Sequence, residues 1–192
     1  MGLFSSILRV KSTEGAVNDS EFQLREGPKS FVRVWRRVML DPRAFYNEMP
    51  PSGGFEGPLI FLGACALVYF VLKIIVGGTV DAVNSLFLVV LAYIFGPGIL
   101  MLSSQFIFQG EGDYEATLRT CSYAGACLVL AWIPVVGIFA YLYSFYLIFL
   151  GTEKVHKLDA TKAVITTLVA ILATGAIVLW VLGRERILRP LL

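Results

Sequence analysis

Charge is what this chain has least of. Asp, Glu, Lys and Arg make up 16% of its 192 residues, against about 25% in soluble globular domains, and the mean hydropathy is +0.74, so an ordinary water-solvated domain is excluded. The formal net charge is only +2. No basic block with interleaved aromatics occurs outside the stretch before the first apolar run, so nucleic acid is not an expected partner. Cysteine and histidine are equally scarce. Cys65, Cys121 and Cys127 form no Cys-x-x-Cys pair, and His156 is the single histidine. Neither a disulfide framework nor a metal site is expected, and the cysteines read as small packing residues within apolar helices. No Ser/His/Asp set, paired carboxylates within a span or Gly-rich phosphate loop is present. The expectation is a non-enzymatic protein without a cofactor.

What is present is uncharged sequence. Four runs lack Asp, Glu, Lys, Arg and His: Gly57 to Leu72, Ala82 to Gly110, Thr120 to Thr152 and Ala163 to Gly183. The first is interrupted only by Lys73 before Ile74 to Gly78. About 20 apolar residues cross the roughly 30 Å hydrocarbon core as a helix. The third run has 33 residues, too many for one crossing, and Pro134 and Gly137 in its Trp132 to Gly137 corner supply a turn. The fold expected is therefore an all-α integral membrane protein, a bundle of five transmembrane helices at about residues 58–77, 82–109, 116–133, 135–151 and 160–183. Residues 184–192 form a short non-cytoplasmic tail. Leu3, Phe4, Ile7, Leu8 and Val10 are interrupted by Ser5, Ser6 and Arg9, so no cleavable signal peptide is expected and the first span directs insertion.

Residues 1–57 are the extended polar part, a cytoplasmic segment with amphipathic, interfacial helices. Residues 3–10 read as a short amphipathic foot, and Met1 to Ser6 matches the myristoylation pattern formally. Ser12 to Ser20 reads as a linker. From Ser30 to Leu40, Phe31, Val34, Trp35 and Val38 share one helical face while Arg33, Arg36 and Arg37 flank the other, the pattern of a helix at a membrane surface. Asp41-Pro42 then starts a second helix, with Asp as N-cap and Pro at the first position, ended by Pro50-Pro51.

Lys29, Arg33, Arg36, Arg37 and Arg43 precede the first span, whereas Gly77 to Asp81 beyond it carries no basic residue. The N-terminus is accordingly expected in the cytoplasm, in a multi-pass arrangement fitting a bacterial inner membrane. Lys73 is the one basic residue within a span. It is placed to snorkel outward beside Asp81, or to form a polar gate with it. Phe95-Gly96-Pro97-Gly98 predicts a kink or break in the second span at Gly96, Pro97 and Gly98. Arg119, near Glu111, Asp113 and Glu115, reads as a surface ion pair or lipid-phosphate contact, and His156 as a solvated loop residue.

Asp41-Pro42-Arg43-Ala44-Phe45-Tyr46, Gly57-Pro58, Arg119 with Tyr123, and the Ile133-Pro134 and Gly137 corner followed by Tyr141, Tyr143, Gly151 and His156 together resemble the Yip-domain family of Ypt/Rab-interacting membrane proteins, over about residues 31–175. The Asp-Pro-Arg-Ala-Phe opening looks more like bacterial members, and Phe55-Glu56-Gly57-Pro58 only approximates the eukaryotic motif. The resemblance implies five helices, a cytoplasmic N-terminus and a role in membrane organisation or trafficking. The function expected is a scaffold of a membrane assembly. Phe31, Arg33, Trp35, Arg36, Arg37 and Arg119 would contact membrane lipid or a protein partner. The alternative is a small homo-oligomeric channel or transporter built on the broken second span.

Overall fold

The computed structural model describes residues 21–188, which are mostly helical and contain no strand. The readings made for residues 1–20, namely the amphipathic foot, the myristoylation pattern and the linker, lie outside the described residues. A short 3-10 turn at Leu24–Glu26 leads into α1, Pro28–Leu40, and α2, Pro42–Glu48. Then come α3, Glu56–Phe108, and α4, Tyr114–Ala124, followed through the 3-10 turn Gly125–Cys127 by α5, Leu128–Ala131. Two long helices, α6 at Pro134–Val155 and α7 at Ala160–Leu188, complete the described residues. Both short helices open on proline, which fits the first turn because its missing N–H would have no partner there. Asp41 caps α2 by accepting from the Ala44 N–H at 3.3 Å, the role read from the sequence.

As a straight rod the 53 residues of α3 would reach about 80 Å, more than twice the hydrocarbon thickness. The helix instead folds back on itself. Gly78 adopts φ 80° and ψ 170°, the one non-helical residue inside α3, in a region that side chains with a Cβ avoid. Leu62 and Tyr93, about 30 residues apart, both close on Gly125: a Cβ built there would lie 2.5 Å from Leu62 Cδ1 and 3.0 Å from the Tyr93 hydroxyl. α3 is therefore a hairpin with arms 56–77 and 79–108. The second arm stays helical through Gly96, Pro97 and Gly98, and the expected break there is corrected to Gly78. A proline in a helix removes one donor while the bonds around it persist, whereas a residue at φ 80° stops the ladder altogether.

Three helices, α3, α6 and α7, are long and apolar enough to cross a membrane, against five expected. Two causes account for the difference. The first and second expected spans run on as one helix bent at Gly78, and the third, 116–133, is divided into α4, a 3-10 turn and α5. That third stretch is also polar for a membrane helix, since Thr117, Arg119, Thr120 and Ser122 all lie within it. It tolerates them because it meets protein instead of lipid: every residue from Ala116 to Leu128 is buried. α6 and the arms of α3 pack along it, and α7 packs on α3 and α6. α6 comes very near at Gly151, where a Cβ would lie 2.1 Å from Thr120 Cγ2. The Ile133-Pro134 corner stands as expected, with Pro134 opening α6 and the Gly137 N–H donating to the Ile133 carbonyl at 2.6 Å.

The hydrophobic core sits where α1 and α2 meet the bundle. Val34, Val38, Phe45, Phe61 and Tyr123 are fully buried there, and the rings of Phe45 and Tyr123 meet edge to face with centroids 4.9 Å apart. The apolar face of α1, expected to lie on lipid, is thus spent on protein. Gly151→Ala is expected to overpack the α4–α6 contact and cost about 1–3 kcal/mol. Thermal unfolding in detergent should show the loss, with Gly63→Ala unchanged because its Cβ enters open space.

Candidate functional site

The joint between the N-terminal segment and the bundle concentrates the polar chemistry of the chain. Arg119, on α4, is wholly buried. One guanidinium nitrogen donates to the Gly54 carbonyl at 2.9 Å and the other pairs with the Glu21 carboxylate in a short contact. Burying a guanidinium is costly unless it is paired and hydrogen-bonded, so this residue fixes two separate pieces of chain against α4. Glu115, one turn earlier, grips the same loop from the other side: its Oε1 accepts from the Gly53 and Gly54 N–H groups at 2.8 and 2.7 Å. Gly54 has φ 90°, a conformation that favours glycine. The reading of Arg119 as a surface or lipid-phosphate contact is corrected. Its partner is a carboxylate 98 residues earlier in the chain.

A second polar cluster lies on the loop side of α4. His156, at the end of α6, is 1% exposed, which corrects its reading as a solvated loop residue. Nδ1 lies 2.8 Å from Ser104 Oγ and Nε2 3.0 Å from Thr117 Oγ1. Each hydroxyl also reaches a backbone carbonyl at 2.7 Å, Ser104 that of Met101 and Thr117 that of Asp113. Each hydroxyl has one proton, so with a neutral ring one of them turns its proton to the bare nitrogen while the other accepts from the ring N–H. Burial lowers the His156 pKa to about 4, against a smaller opposing pull from Asp113. The cover is glycine: a Cβ at Gly112 would sit 2.7 Å from His156 Nδ1. Asp113 caps α4 through the Ala116 N–H at 2.8 Å, and Lys157 pairs with Glu111 at 2.6 Å across the two loops.

The remaining site residues divide between this joint and two other places. Trp35 donates from Nε1 to the Ala126 carbonyl at 2.9 Å, and the Tyr143 hydroxyl donates to that of Met39 at 2.9 Å. Phe31 stacks on Phe61 with ring centroids 5.4 Å apart. Arg33 pairs with Glu26 at 2.6 Å and Arg37 with Glu48, while Arg36 points outward and is exposed. Phe31 and Trp35 hold α1 to the bundle; Arg33, Arg36 and Arg37 line its outer side. Lys73 and Asp81 stand at the tip of the α3 hairpin, partly exposed and exposed respectively. A Cβ at Gly77 would lie 3.4 Å from Asp81 Oδ2 and 3.8 Å from Lys73 Cε. They neighbour each other at the bundle's surface instead of facing its interior. Gly96 and Pro97 line a cavity between the second arm of α3, α6 and α7.

A family model for the Yip1 domain matches residues 36–182. The chain belongs to the Yip1-domain family. No curated protein and no solved structure matches it. The Yip1 match takes in Arg119, Glu115, Gly54 and His156 but begins after Glu21 and Phe22, so one half of the Arg119 ion pair comes from the segment ahead of the domain. Sequence reasoning missed Glu21 and the role of His156. For His156 the available signal was Gly110 and Gly112 in the facing loop. For Glu21, in a polar segment far from Arg119, there was none.

Glu21→Gln is expected to leave the Arg119 charge without its counter-ion and destabilise the fold by about 2 kcal/mol. This is below the roughly 3–5 of a fully buried pair, because the Glu21 side chain keeps 26% of its exposure; chemical denaturation in detergent measures it. The His156 pKa is lower in the folded state, near 4, than the ordinary value near 6.5. Its stability contribution is therefore complete above about pH 6.5 and is lost as pH falls toward 4, to a total of about 3 kcal/mol. Unfolding midpoints across that window should fall in the native chain, and His156→Gln should flatten the slope.

Proposed function

We propose that this Yip1-domain protein is a non-enzymatic membrane organiser whose N-terminal helices form a fixed platform on the bundle. The observation carrying this reading is Arg119, whose buried charge ties Glu21 and Gly54 to α4. A segment held this way presents a defined surface. The outer side of α1 carries Lys29, Arg33, Arg36 and Arg37 beside the exposed Val32 and Leu40. Basic groups alternating with aliphatic ones suit an anionic lipid surface or an acidic partner.

The same reading takes the bundle to cross the membrane five times, with the arms of α3, the α4–α5 stretch, α6 and α7 as the passages. About 18 helical residues span roughly 27 Å, the length of the α4–α5 stretch from 114 to 131. Its hydroxyls and arginine are shielded from lipid by the surrounding helices. Lys154, Lys157 and Lys162 lie in or beside the loop that faces Glu111 ahead of α4, and with the basic residues that precede α3 they support a cytoplasmic N-terminus in a bacterial inner membrane. Because α1 fills part of the core, deleting it would test folding before function, so substitutions confined to its outer side are the cleaner probe.

Lys29→Gln with Arg36→Gln is expected to weaken retention of anionic phosphatidylglycerol by the purified protein by about 2 kcal/mol, roughly thirtyfold. Native mass spectrometry of protein released from mixed lipid nanodiscs reads this directly. Unchanged retention, together with solute flux in proteoliposomes that Lys73→Leu abolishes, would favour a transporter instead.

A further inference from the structure

Between the second arm of α3, α6 and α7, with α4 as its floor, lies a cavity of about 410 Å³, within the range of small-ligand sites. Its wall runs from Ser85 to Leu100 on the second arm and from Thr167 to Val178 on α7. At 1.5 Å per residue these stretches are about 22 and 16 Å long and follow the helix axes. The cavity is thus a slot along the helices, about as deep as one leaflet of a roughly 30 Å hydrocarbon core. Among the described residues no charged side chain lines it. Its walls are mainly aliphatic and aromatic, and seven of the lining residues, three tyrosines, two serines and two threonines, carry a hydroxyl. One hydroxyl has no partner: Thr167 is 4% exposed, lines the cavity, and its Oγ1 makes no hydrogen bond. Gly175 stands at the mouth, with nothing within 4 Å of where its Cβ would be.

We propose that this slot binds one acyl chain of a bilayer lipid, standing parallel to the helices. Three observations select that occupant. The slot is uncharged, which excludes an ion or a charged solute as a stable guest. It is long in the direction in which acyl chains extend, and the helices α3, α6 and α7 around it are the three able to cross a membrane, so the medium at its mouth is hydrocarbon. The lining is mostly apolar despite its hydroxyls, so a hydrocarbon chain fills the space at less cost than a column of ordered water. Thr167 Oγ1 gives the site one polar contact, suited to an ester carbonyl or hydroxyl. Gly96 and Pro97 acquire a role: the bare Cα of Gly96 leaves the wall open opposite Thr174, whose Oγ1 would be 3.9 Å from a Cβ there. The inference stands whether or not the N-terminal platform contacts lipid or protein.

The experiment uses the full chain in nanodiscs containing phosphatidylcholine with a diazirine midway along one acyl chain. After irradiation, labelled peptides are located by mass spectrometry. Label is expected to concentrate on 85–100 and 167–178. Gly175→Leu, which fills the mouth, should reduce it at least about fivefold. Gly63→Leu, at an exposed position with open space around it, should leave it unchanged. Equal label over all lipid-exposed helices, insensitive to Gly175→Leu, would overturn the proposal. So would label absent from the slot with an inter-chain crosslink through 167–178 in its place, since a second copy would then be the occupant. Unfolding temperature serves as the control for folding: a Gly175→Leu protein that melts like the native chain yet labels fully also refutes it.

Discussion

A buried guanidinium sets the terms for this fold. Arg119 lies on the helix that α3 and α6 enclose, and its charge cannot be left in that environment alone. Among the described residues, its ion-pair partner is Glu21; the Glu115 carboxylate, one turn away on α4, bonds the Gly53 and Gly54 N–H groups. Relief comes from outside the bundle, from Glu21 and the Gly54 carbonyl. The N-terminal segment is thereby drawn against α4, and the aromatic and aliphatic face of α1 finds partners in Phe61 and Ala126. A polar requirement thus places an apolar interface.

The central helix shows the same logic in composition. A helix facing hydrocarbon has no use for threonine, serine and arginine in succession, but one enclosed by protein can use them for hydrogen bonding and close approach. Thr117 serves His156, while Thr120 lies against the bare backbone of Gly151. Enclosure needs neighbours on all sides, and the fold of α3 at Gly78 supplies two of them from one continuous stretch. His156 closes the loop end of the same assembly, in contact with the second arm through Ser104 and with α4 through Thr117. Arg119 and His156 therefore brace the same end of α4 from different sides, one with charge and one with neutral hydrogen bonds.

Much of the architecture was legible in residue order. The Asp41 cap, the Pro134 corner and the apolar face of α1 follow from local rules that need no knowledge of neighbours. The bend was harder to place. Gly96-Pro97-Gly98 carries the stronger local signal for a break, yet Gly77-Gly78 takes it, because that is where the two arms must reverse for Leu62 and Tyr93 to reach Gly125. Arg119 and His156 were misplaced for one reason: a polar residue near the end of an apolar run reads as exposed, and only its partners reveal otherwise.

By itself the sequence determined a helical membrane protein of the Yip1 type, because uncharged length and periodicity are properties of a chain segment alone. Tertiary structure alone decided which faces meet lipid and which meet protein, where Glu21 goes, and that a slot remains between the second arm of α3, α6 and α7. The physical reason is that burial, charge pairing and cavity shape are relations between residues far apart in the chain, and local composition carries no record of them.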